Sequence, residues 1–322
     1  MRGARGRIIS RDGVPDVVKT LVFGAGAIGS LLGGLLSIEN EVTIVARKPH
    51  VDAVNRRGLR ISGVTNRIAW PTARIDAPAD APDVVFITTK AYDTERAVDA
   101  LRAFWRRSLF VTLQNGLGNA EALAANADRV IAGTTTHGVT FVAPGEIVHA
   151  GAGDTVVGPV KGVDSADTQH LADVLTAAGV PTTVTSDVRR ELWAKAVVNA
   201  AINPLTAVLR VPNGVLVETD DLRHLVEILA TEGATAAADA GVPLEPSDLA
   251  AKAVEVAART AKNRSSMLQD IEAGRRTEVD AITGALVGAA AAKGRRLPYN
   301  EIVQALVLGL ERNRPAGPSP EG

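Results

Sequence analysis

The stretch that decides the fold is Val17–Gly29, VVKTLVFGAGAIG, followed by the apolar run Glu41–Ala46, EVTIVA. The first seven residues have the length and apolar character of a buried strand. The glycine-rich GAGAIG then leads into an apolar helical stretch that extends to about Ile38. A strand, a glycine turn, a helix and a second strand within about 30 residues are typical of a βαβ unit. This order predicts a parallel sheet in the N-terminal part of the chain.

The same alternation continues along the chain and then stops. Apolar runs at 84–88 and 109–113 are each followed by a helical segment, and shorter strand-like runs occur near 155–157 and 183–185. From about residue 188 the pattern instead predicts helices over 188–209, 219–241, 246–263 and 277–294, with Pro204 interrupting the first of them. The predicted fold class is therefore α/β, an N-terminal Rossmann-type parallel sheet domain followed by an all-helical C-terminal domain.

The composition shifts also predict the domain limits. We expect a sheet domain over 17–188 and a helical domain over 189–313. Residues 1–16 are rich in arginine but lack the apolar core of a secretory signal, so they are predicted to be a disordered extension. Residues 314–322, RPAGPSPEG, are predicted to be a disordered tail because they are rich in proline and glycine.

Composition excludes several classes of protein. Lys plus Arg is 35 and Asp plus Glu is 36, and a net charge of −1 argues against a nucleic-acid or membrane-surface protein. The chain has no cysteine, so disulfides and thiolate sites are excluded. The five histidines lack paired spacing, so no metal site is predicted. No apolar run reaches the roughly 18 residues of a membrane span. We therefore expect a cytoplasmic protein.

The glycine loop predicts a dinucleotide site. Gly24 permits the tight turn, Gly26 lets the backbone approach a pyrophosphate, and Gly29 lets the helix pack on the strand. The N-terminus of the helix supplies free N–H groups and positive potential for the phosphates. The predicted phosphate-binding residues are the whole loop: Gly24, Ala25, Gly26, Ala27, Ile28 and Gly29.

The end of the second strand indicates which dinucleotide binds. An NAD site usually carries an acidic residue there, whereas this chain has Arg47 and Lys48. An arginine suits the 2′-phosphate of NADP(H) through charge-assisted bonds, and Lys48 is interpreted as a surface lysine. Lys90 and Asn115 follow two later strands. Each could cap a helix or turn, but together they point to one ligand at the carboxyl edge of the sheet.

A second candidate site lies in Trp193–Ala207, WAKAVVNAAINPLTA. Lys195, Asn199 and Asn203 are four residues apart, so on a helix they share one stripe. The alternative is a solvated stripe. The flanking residues are apolar, however, and burying polar groups costs about 1–3 kcal/mol each unless they find partners. The pattern therefore favours a stripe that lines a polar ligand.

Taken together, these motifs resemble those of the ketopantoate reductase (2-dehydropantoate 2-reductase) family over residues 17–313. The resemblance rests on ordered segments: GAGAIG, the Lys90 segment, QNGLG at 114–118, GTTTHG at 133–138, WAKAVVNAAINPLTA, PNG at 212–214, NRSSMLQDI and RRTEVD. It implies NADPH-dependent reduction of ketopantoate to (R)-pantoate, a step towards pantothenate and coenzyme A. The first domain would then bind NADP(H), and the second would carry the substrate and the catalytic lysine.

The resemblance also implies roles for single residues. Lys195 matches the proton donor, and Glu278 matches a glutamate beside the cofactor and substrate. The implied substrate-binding residues are Asn115, Asn199, Asn203, Asn213, Asn263 and Ser266. The implied cofactor-binding residues outside the glycine loop are Arg47, Lys90, Asn115, Val139 and Glu278. Val139 is matched through its backbone only.

The residue types suit this chemistry. Hydride transfer to a ketone develops negative charge on oxygen, and a lysine can both stabilise that charge and donate a proton. Asn263 and Ser266, three residues apart, could share a helical turn and bind a carboxylate, although the Ser265–Ser266 pair could instead be a helix cap. Thr277 is expected to cap the following helix, with Glu278 in its first turn.

Alternative functions remain open from the sequence. A related NADP-dependent reductase of another 2-oxo acid would share the cofactor and the lysine. A non-catalytic NADPH sensor would be expected to lose Lys195, Asn199 or Glu278, and all three are present. The expected partner is a small-molecule 2-oxo acid, with no nucleic acid and no membrane. The helical domain, rich in alanine and valine, could form a homodimer face, and the sequence leaves the oligomeric state open.

Overall fold

The structure, a computed structural model, describes residues 17–313, so the predicted disordered segments 1–16 and 314–322 lie outside the described residues. Backbone contacts divide the described chain into two units. Unit 1 contains residues 17–114 and 119–188, and unit 2 contains residues 115–118 and 189–313. The short segment 115–118 therefore groups with the second unit, although it lies within the sequence of the first.

The strands of the described chain all lie in unit 1. In chain order they are Lys19–Phe23 (β1), Glu41–Val45 (β2), Leu59–Gly63 (β3), Arg67–Ala69 (β4), Thr72–Arg74 (β5), Val84–Ile87 (β6), Leu109–Thr112 (β7), Val130–Thr135 (β8), Gly138–Ala143 (β9), Glu146–Gly151 (β10), Thr155–Lys161 (β11) and Thr182–Val184 (β12). The helices of this unit are Ala27–Leu36 (α1), Lys48–Arg57 (α2), Thr94–Ala100 (α3), Asn119–Asn126 (α4) and Ser165–Ala177 (α5).

The main sheet has eight strands in the order β12-β11-β8-β7-β6-β1-β2-β5. All neighbours pair in parallel except β8 and β11, which are antiparallel. Central strands such as β6 and β7 are buried along their whole length, as expected for a sheet covered on both faces. Two apolar clusters cover the two faces, one including Leu31, Leu35 and Leu171 and the other including Val98 and Leu123. The predicted Rossmann-type sheet is confirmed.

A second sheet of unit 1 was not anticipated from the sequence. Its four strands are ordered β4-β3-β10-β9. The central pair, β3 and β10, is parallel and joins Arg60 to Glu146 across a long stretch of chain. These strands mix polar with apolar residues, so no continuous apolar run marks them. Their pairing depends on contacts between distant residues, which local pattern does not report.

Unit 2 is helical. Its helices are Val188–Leu209 (α6, which begins at the boundary), Asp220–Asp239 (α7), Pro246–Arg259 (α8), Ser266–Glu272 (α9), Ala285–Ala291 (α10) and Pro298–Arg312 (α11). A π-helical segment, Asp280–Gly284, precedes α10, and a 3₁₀ segment covers Asn213–Val217. The core of the unit consists mainly of Ala, Val, Leu and Ile side chains. The all-helical C-terminal domain is confirmed.

The predicted helix limits hold at 188–209 but not at 246–263. Helix α8 ends at Arg259, and the carbonyls of Ala261 and Asn263 beyond it accept hydrogen bonds from a distant segment. The N–H groups of Asn213 and Gly214 donate to Asn263 and Ala261 at 2.9 and 3.0 Å. Tertiary hydrogen bonds therefore end this helix one turn early.

Helix α6 departs from the sequence prediction at Pro204. This residue was expected to interrupt the helix, yet α6 continues through it to Leu209. Proline removes one intrahelical donor, but the chain is held by a buried core on several sides. Among the described residues, α6 is the helix long and apolar enough to span a membrane, and 72% of its apolar window is buried within the protein. That degree of burial is what a core helix shows.

Candidate functional site

The glycine loop of unit 1 forms a tight turn between β1 and α1. Gly24 has a φ of +102°, and a Cβ there would lie 2.6 Å from the backbone nitrogen of Thr89. A Cβ at Gly29 would lie 2.5 Å from the carbonyl oxygen of Gly24. Both positions therefore require glycine for reasons internal to the protein.

Gly26 has a different environment. It is exposed, and a Cβ placed on it would meet no atom of the described part of the chain within 4 Å. It also precedes α1 as the N-cap, where the N–H groups of Ala27, Ile28 and Gly29 have no intrahelical acceptor. The loop thus presents open space and free donors at a helix N-terminus, which is the arrangement that binds a phosphate.

Arg47 follows β2 and is the N-cap of α2. Its side chain is exposed, as is that of Lys48. Lys48 binds Asp52 at 2.7 Å, one turn along α2, so it is a surface lysine as interpreted from the sequence. The side chain of Arg47 forms no hydrogen bond or ion pair with the described residues, so its guanidinium is available to a ligand.

The other residues of unit 1 expected at the cofactor lie at two places. Lys90 follows β6, is partly buried, and is the N-cap of a 3₁₀ turn at Ala91–Asp93. Val139 lies in β9 of the second sheet, where its side chain packs against an apolar cluster and its backbone pairs with His149. The side chain of Val139 therefore has a packing role. Among residues 17–313, no group of three or more His, Asp or Glu side chains is placed to hold a metal ion.

In unit 2, α6 places Lys195, Asn199 and Asn203 on one stripe because the helix is continuous over all three. Asn203 is buried, whereas Lys195 and Asn199 are partly accessible. Their neighbours along the helix are buried Ala, Val and Ile side chains. The stripe is thus a polar line on a core helix, and a fully solvated stripe is excluded.

Lys195 is electrostatically coupled to Glu278. Burial lowers the pKa of Lys195 from 10.5 to about 8, and the nearby Glu278 carboxylate opposes that shift by favouring the charged amine. Glu278 itself is buried. A lysine with a pKa near neutral pH can release its proton during a reaction and regain it from solvent.

Glu278 is positioned by its flanking residues. The Thr277 hydroxyl accepts the N–H of Val279 at 3.2 Å in a local turn. The helical segment that follows has Val279 at its N-cap and Glu278 lies before it, so the expectation that Thr277 caps this helix with Glu278 in its first turn is wrong. The Thr277 N–H in turn donates to the Glu311 carboxylate at 2.6 Å. The π-helical segment Asp280–Gly284 follows directly, and such segments are frequent at functional sites.

The segment 115–118 packs against this π-helical segment. The Leu117 N–H donates to the Ala281 carbonyl at 2.9 Å. Gly116 has a φ of +83°, and a Cβ on it would lie 2.6 Å from the same carbonyl oxygen. Asn115 is therefore attached to the segment that follows Glu278. This explains why residues 115–118 belong to unit 2.

Asn213 is held beside the end of α8. Its side-chain amide donates to the Thr260 hydroxyl at 2.8 Å, while its buried Oδ1 atom has no hydrogen-bond partner among the described residues. Its backbone N–H binds the carbonyl of Asn263, whose side chain is exposed. These hydrogen bonds of Asn213 thus hold the turn that contains Asn263 in place.

The two serines of NRSSM have separate roles. Ser265 is buried and caps α9, accepting the Leu268 N–H at 3.0 Å, and it also accepts the Thr206 hydroxyl of α6 at 2.7 Å. Ser266 is the exposed first residue of α9. The expectation that Asn263 and Ser266 share a helical turn is wrong, because Asn263 lies in the loop before the cap.

We call Lys195, Asn199, Asn203 and Glu278, with the segments that hold them and Asn115, Asn213 and Ser266, the polar cluster of unit 2. Sequence reasoning missed most of the residues that support this cluster. The roles of Gly116, Ala281 and Thr206 depend on contacts over long stretches of chain, and no local pattern marks them. The helix-cap alternative for the Ser265–Ser266 pair is confirmed for Ser265. Asp270 is buried and paired with Arg275 at 2.9 Å. Its spacing of five residues from Arg275 was the only sequence signal.

Comparison with known proteins identifies the relatives of both units. The family model "Ketopantoate reductase PanE/ApbA" matches residues 20–162, and its C-terminal counterpart matches residues 187–311. The 2-dehydropantoate 2-reductase of Archaeoglobus fulgidus is 40% identical over 296 residues, which covers 92% of this chain and 98% of that protein.

Solved structures show the same fold. A PanE/ApbA family ketopantoate reductase from Ralstonia eutropha JMP134 is 31% identical, with a TM-score of 0.84 over 92% of this chain and 99% of that chain. A D-mandelate dehydrogenase in complex with NADH and anilino(oxo)acetate has a TM-score of 0.86 at 24% identity, covering 91% of this chain and 98% of that chain. The latter likeness concerns the fold alone. On the matches to both halves and the identity to curated relatives, the chain belongs to the ketopantoate reductase PanE/ApbA family.

Proposed function

We propose that this chain is an NADPH-dependent 2-dehydropantoate 2-reductase, which reduces ketopantoate to (R)-pantoate on the route to pantothenate and coenzyme A. The relatives that carry this name are similar over nearly the whole chain. The observation that carries the proposal is the partly buried Lys195, coupled to Glu278 and aligned with Asn199 and Asn203 on an apolar helix.

The residues of unit 1 fit a bound dinucleotide. The open space at Gly26 and the free N–H groups at the start of α1 suit the pyrophosphate, and the free guanidinium of Arg47 suits a 2′-phosphate. NADPH, when bound, supplies the hydride. We assign the remaining loop residues, with Lys90, Asn115, Val139 and Glu278, to cofactor binding on the family resemblance.

Lys195 is the proposed proton donor. With a pKa of about 8, its amine is mainly protonated at pH 7. The charged amine can stabilise the negative charge that develops on the substrate carbonyl oxygen and then transfer a proton from Nζ to it. Glu278 keeps the amine charged at neutral pH by opposing the effect of burial.

The amides and hydroxyls of unit 2 are proposed to hold the substrate. Asn199 and Asn203 lie on the stripe of Lys195 and can orient both the lysine and the substrate. Ser266 and Asn263 are exposed and offer hydrogen-bond donors for a carboxylate, since the neighbouring Ser265 already performs the capping. Asn115 and Asn213 complete the proposed set.

The experiment is the initial rate of NADPH oxidation with ketopantoate, beside NADH and a panel of other 2-oxo acids. We expect turnover on ketopantoate, with NADPH well ahead of NADH. Turnover confined to another 2-oxo acid would assign the chain to a related reductase. NADPH binding without turnover on any of them would instead support a sensor.

Location and assembly remain predictions. We expect a cytoplasmic enzyme and a homodimer formed through the helical unit. Light scattering of the purified protein over a range of concentrations measures the second point. A mass equal to one chain at all concentrations would rule out the dimer.

A further inference from the structure

Two arginines lie at the carboxyl ends of adjacent parallel strands in unit 1: Arg74 is the last residue of β5, and Arg47 comes two residues after the end of β2. Strand β5 pairs in parallel with β2, with Arg74 in register with Val45. The Ala46 N–H donates to the Arg74 carbonyl at 3.0 Å, so the pairing continues to the last residue of β5. Arg47 follows one residue later. Arg47 and Arg74 therefore lie side by side at the carboxyl edge of the sheet, where nucleotides bind in this fold class.

Both guanidinium groups are exposed and have no partner among residues 17–313. Neither Arg47 nor Arg74 forms a hydrogen bond or ion pair through its side chain with the described residues, whereas the adjacent Lys48 is paired with Asp52. The first turn of α2, which Arg47 caps, contains no acidic residue. The edge thus carries two uncompensated cations and the positive end of a helix.

This arrangement matches one chemical group. Adjacent strands are about 4.8 Å apart, so two long arginine side chains at their ends can reach a single ligand. A phosphate monoester carries a charge of about −1.5 to −2 at pH 7 and has three acceptor oxygens, enough for two guanidinium forks. One guanidinium would leave part of that charge unpaired.

We propose that Arg74 is the second cation for the 2′-phosphate of NADPH and sets the preference for NADPH over NADH jointly with Arg47. The inference deepens the proposed function and rests on it, since it assumes a dinucleotide at the loop Gly24–Gly29. Arg74 lies on an edge strand that the sequence pattern did not mark, which is why the resemblance alone assigned only Arg47.

The test compares dissociation constants for NADPH and NADH in three variants of the full chain, Arg74→Gln, Arg47→Gln and the double variant. Loss of one charge-assisted contact is expected to weaken NADPH binding roughly 10- to 100-fold, with NADH binding changed little. Arg74→Lys should recover part of the preference, because it restores the charge without the bidentate fork.

The matched control is Arg67→Gln. Arg67 is equally exposed, makes no side-chain hydrogen bond or ion pair with the described residues, and lies in β4 of the second sheet. It should leave both dissociation constants unchanged. Thermal unfolding of each variant measures whether the fold is retained.

The outcomes separate the inference from the proposed function. If Arg47→Gln abolishes the NADPH preference and Arg74→Gln leaves it intact, the inference is wrong and the proposed cofactor stands. Equal weakening of NADPH and NADH by Arg74→Gln would also overturn it. If the unaltered chain shows no preference and neither variant changes binding, the proposed cofactor fails together with the inference.

Discussion

The glycine loop of unit 1 and the polar cluster of unit 2 are built in opposite ways. The loop uses six consecutive residues, Gly24–Gly29, and its features follow from one strand, one turn and one helix. The polar cluster draws on residues from Asn115 to Ala281, joined by hydrogen bonds between distant segments. A local site can be recognised from a motif. A dispersed site, built like the polar cluster from distant segments, can be recognised in the sequence only by its reactive residues. The residues that hold those in place cannot be identified from the sequence.

The largest effect is expected for Lys195→Ala, which removes the centre of the dispersed site. Turnover should fall roughly 10²- to 10⁴-fold, because the proton donor and the positive charge are lost together. NADPH affinity should change little, since Lys195 is assigned to proton donation and the glycine loop and Arg47, which are proposed to bind the phosphates, lie in unit 1. Steady-state rates and NADPH titration measure the two effects. Lys252→Ala, on the exposed surface of α8, is the control. An equal loss of turnover and NADPH affinity would reassign Lys195 to cofactor binding.

Two glycine substitutions can separate the structural role of the glycine loop from its role in binding NADPH. Gly24→Ala should destabilise unit 1 by about 1–3 kcal/mol, because the φ of +102° and the Thr89 backbone both oppose a Cβ. Gly26→Ala meets no protein atom, so it should leave stability unchanged and weaken NADPH binding. Thermal unfolding without and with NADPH measures both. Equal melting temperatures for the two variants without ligand would contradict this division.

Gly116→Ala tests whether the dispersed site depends on its supporting contacts. The added Cβ would collide with the Ala281 carbonyl and strain a φ of +83°, so the segment carrying Asn115 should shift. A strain of about 1–3 kcal/mol could lower kcat/KM roughly 5- to 100-fold while NADPH binding is largely retained. Gly118→Ala is the matched control, since its φ is also positive but a Cβ there meets no atom within 4 Å. Similar losses in both variants would mean that only local strain matters.

The pH dependence of turnover tests whether Glu278 raises the pKa of Lys195. Turnover should fall as the pH rises through about 8, because only the charged form of Lys195 donates a proton. Glu278→Gln removes the carboxylate that raises the pKa of Lys195, so this loss of turnover should occur at lower pH. Rates of both proteins across the pH range give the two midpoints. A midpoint that stays in place or moves to higher pH would show that Glu278 does not act on Lys195.

The smallest effects are expected for the serine pair. Ser265→Ala removes the cap of α9 and the bond from Thr206, so it should lower the free energy of unfolding by about 1–2 kcal/mol. Ser266→Ala should leave stability unchanged and raise KM for the substrate, because Ser266 is exposed and performs no capping. Chemical denaturation and steady-state kinetics measure the pair. A lower free energy of unfolding in Ser266→Ala, with a raised KM in Ser265→Ala, would show that Ser266 is the cap and Ser265 the substrate-binding residue.

Local pattern determined a large part of this protein. The βαβ start, the parallel sheet, the extent of helix α6 and the stripe of Lys195, Asn199 and Asn203 all depend on residues close in the chain, where apolar periodicity and glycine positions carry the information. The second sheet, the early end of α8 and the uninterrupted helix at Pro204 were decided by tertiary structure. So were the bond from Thr206 to Ser265, the attachment of Asn115 to Ala281 and the neighbouring positions of Arg47 and Arg74. Each of these depends on hydrogen bonds, strand pairing or packing between segments far apart in sequence, and such contacts leave no periodic signal in either segment alone.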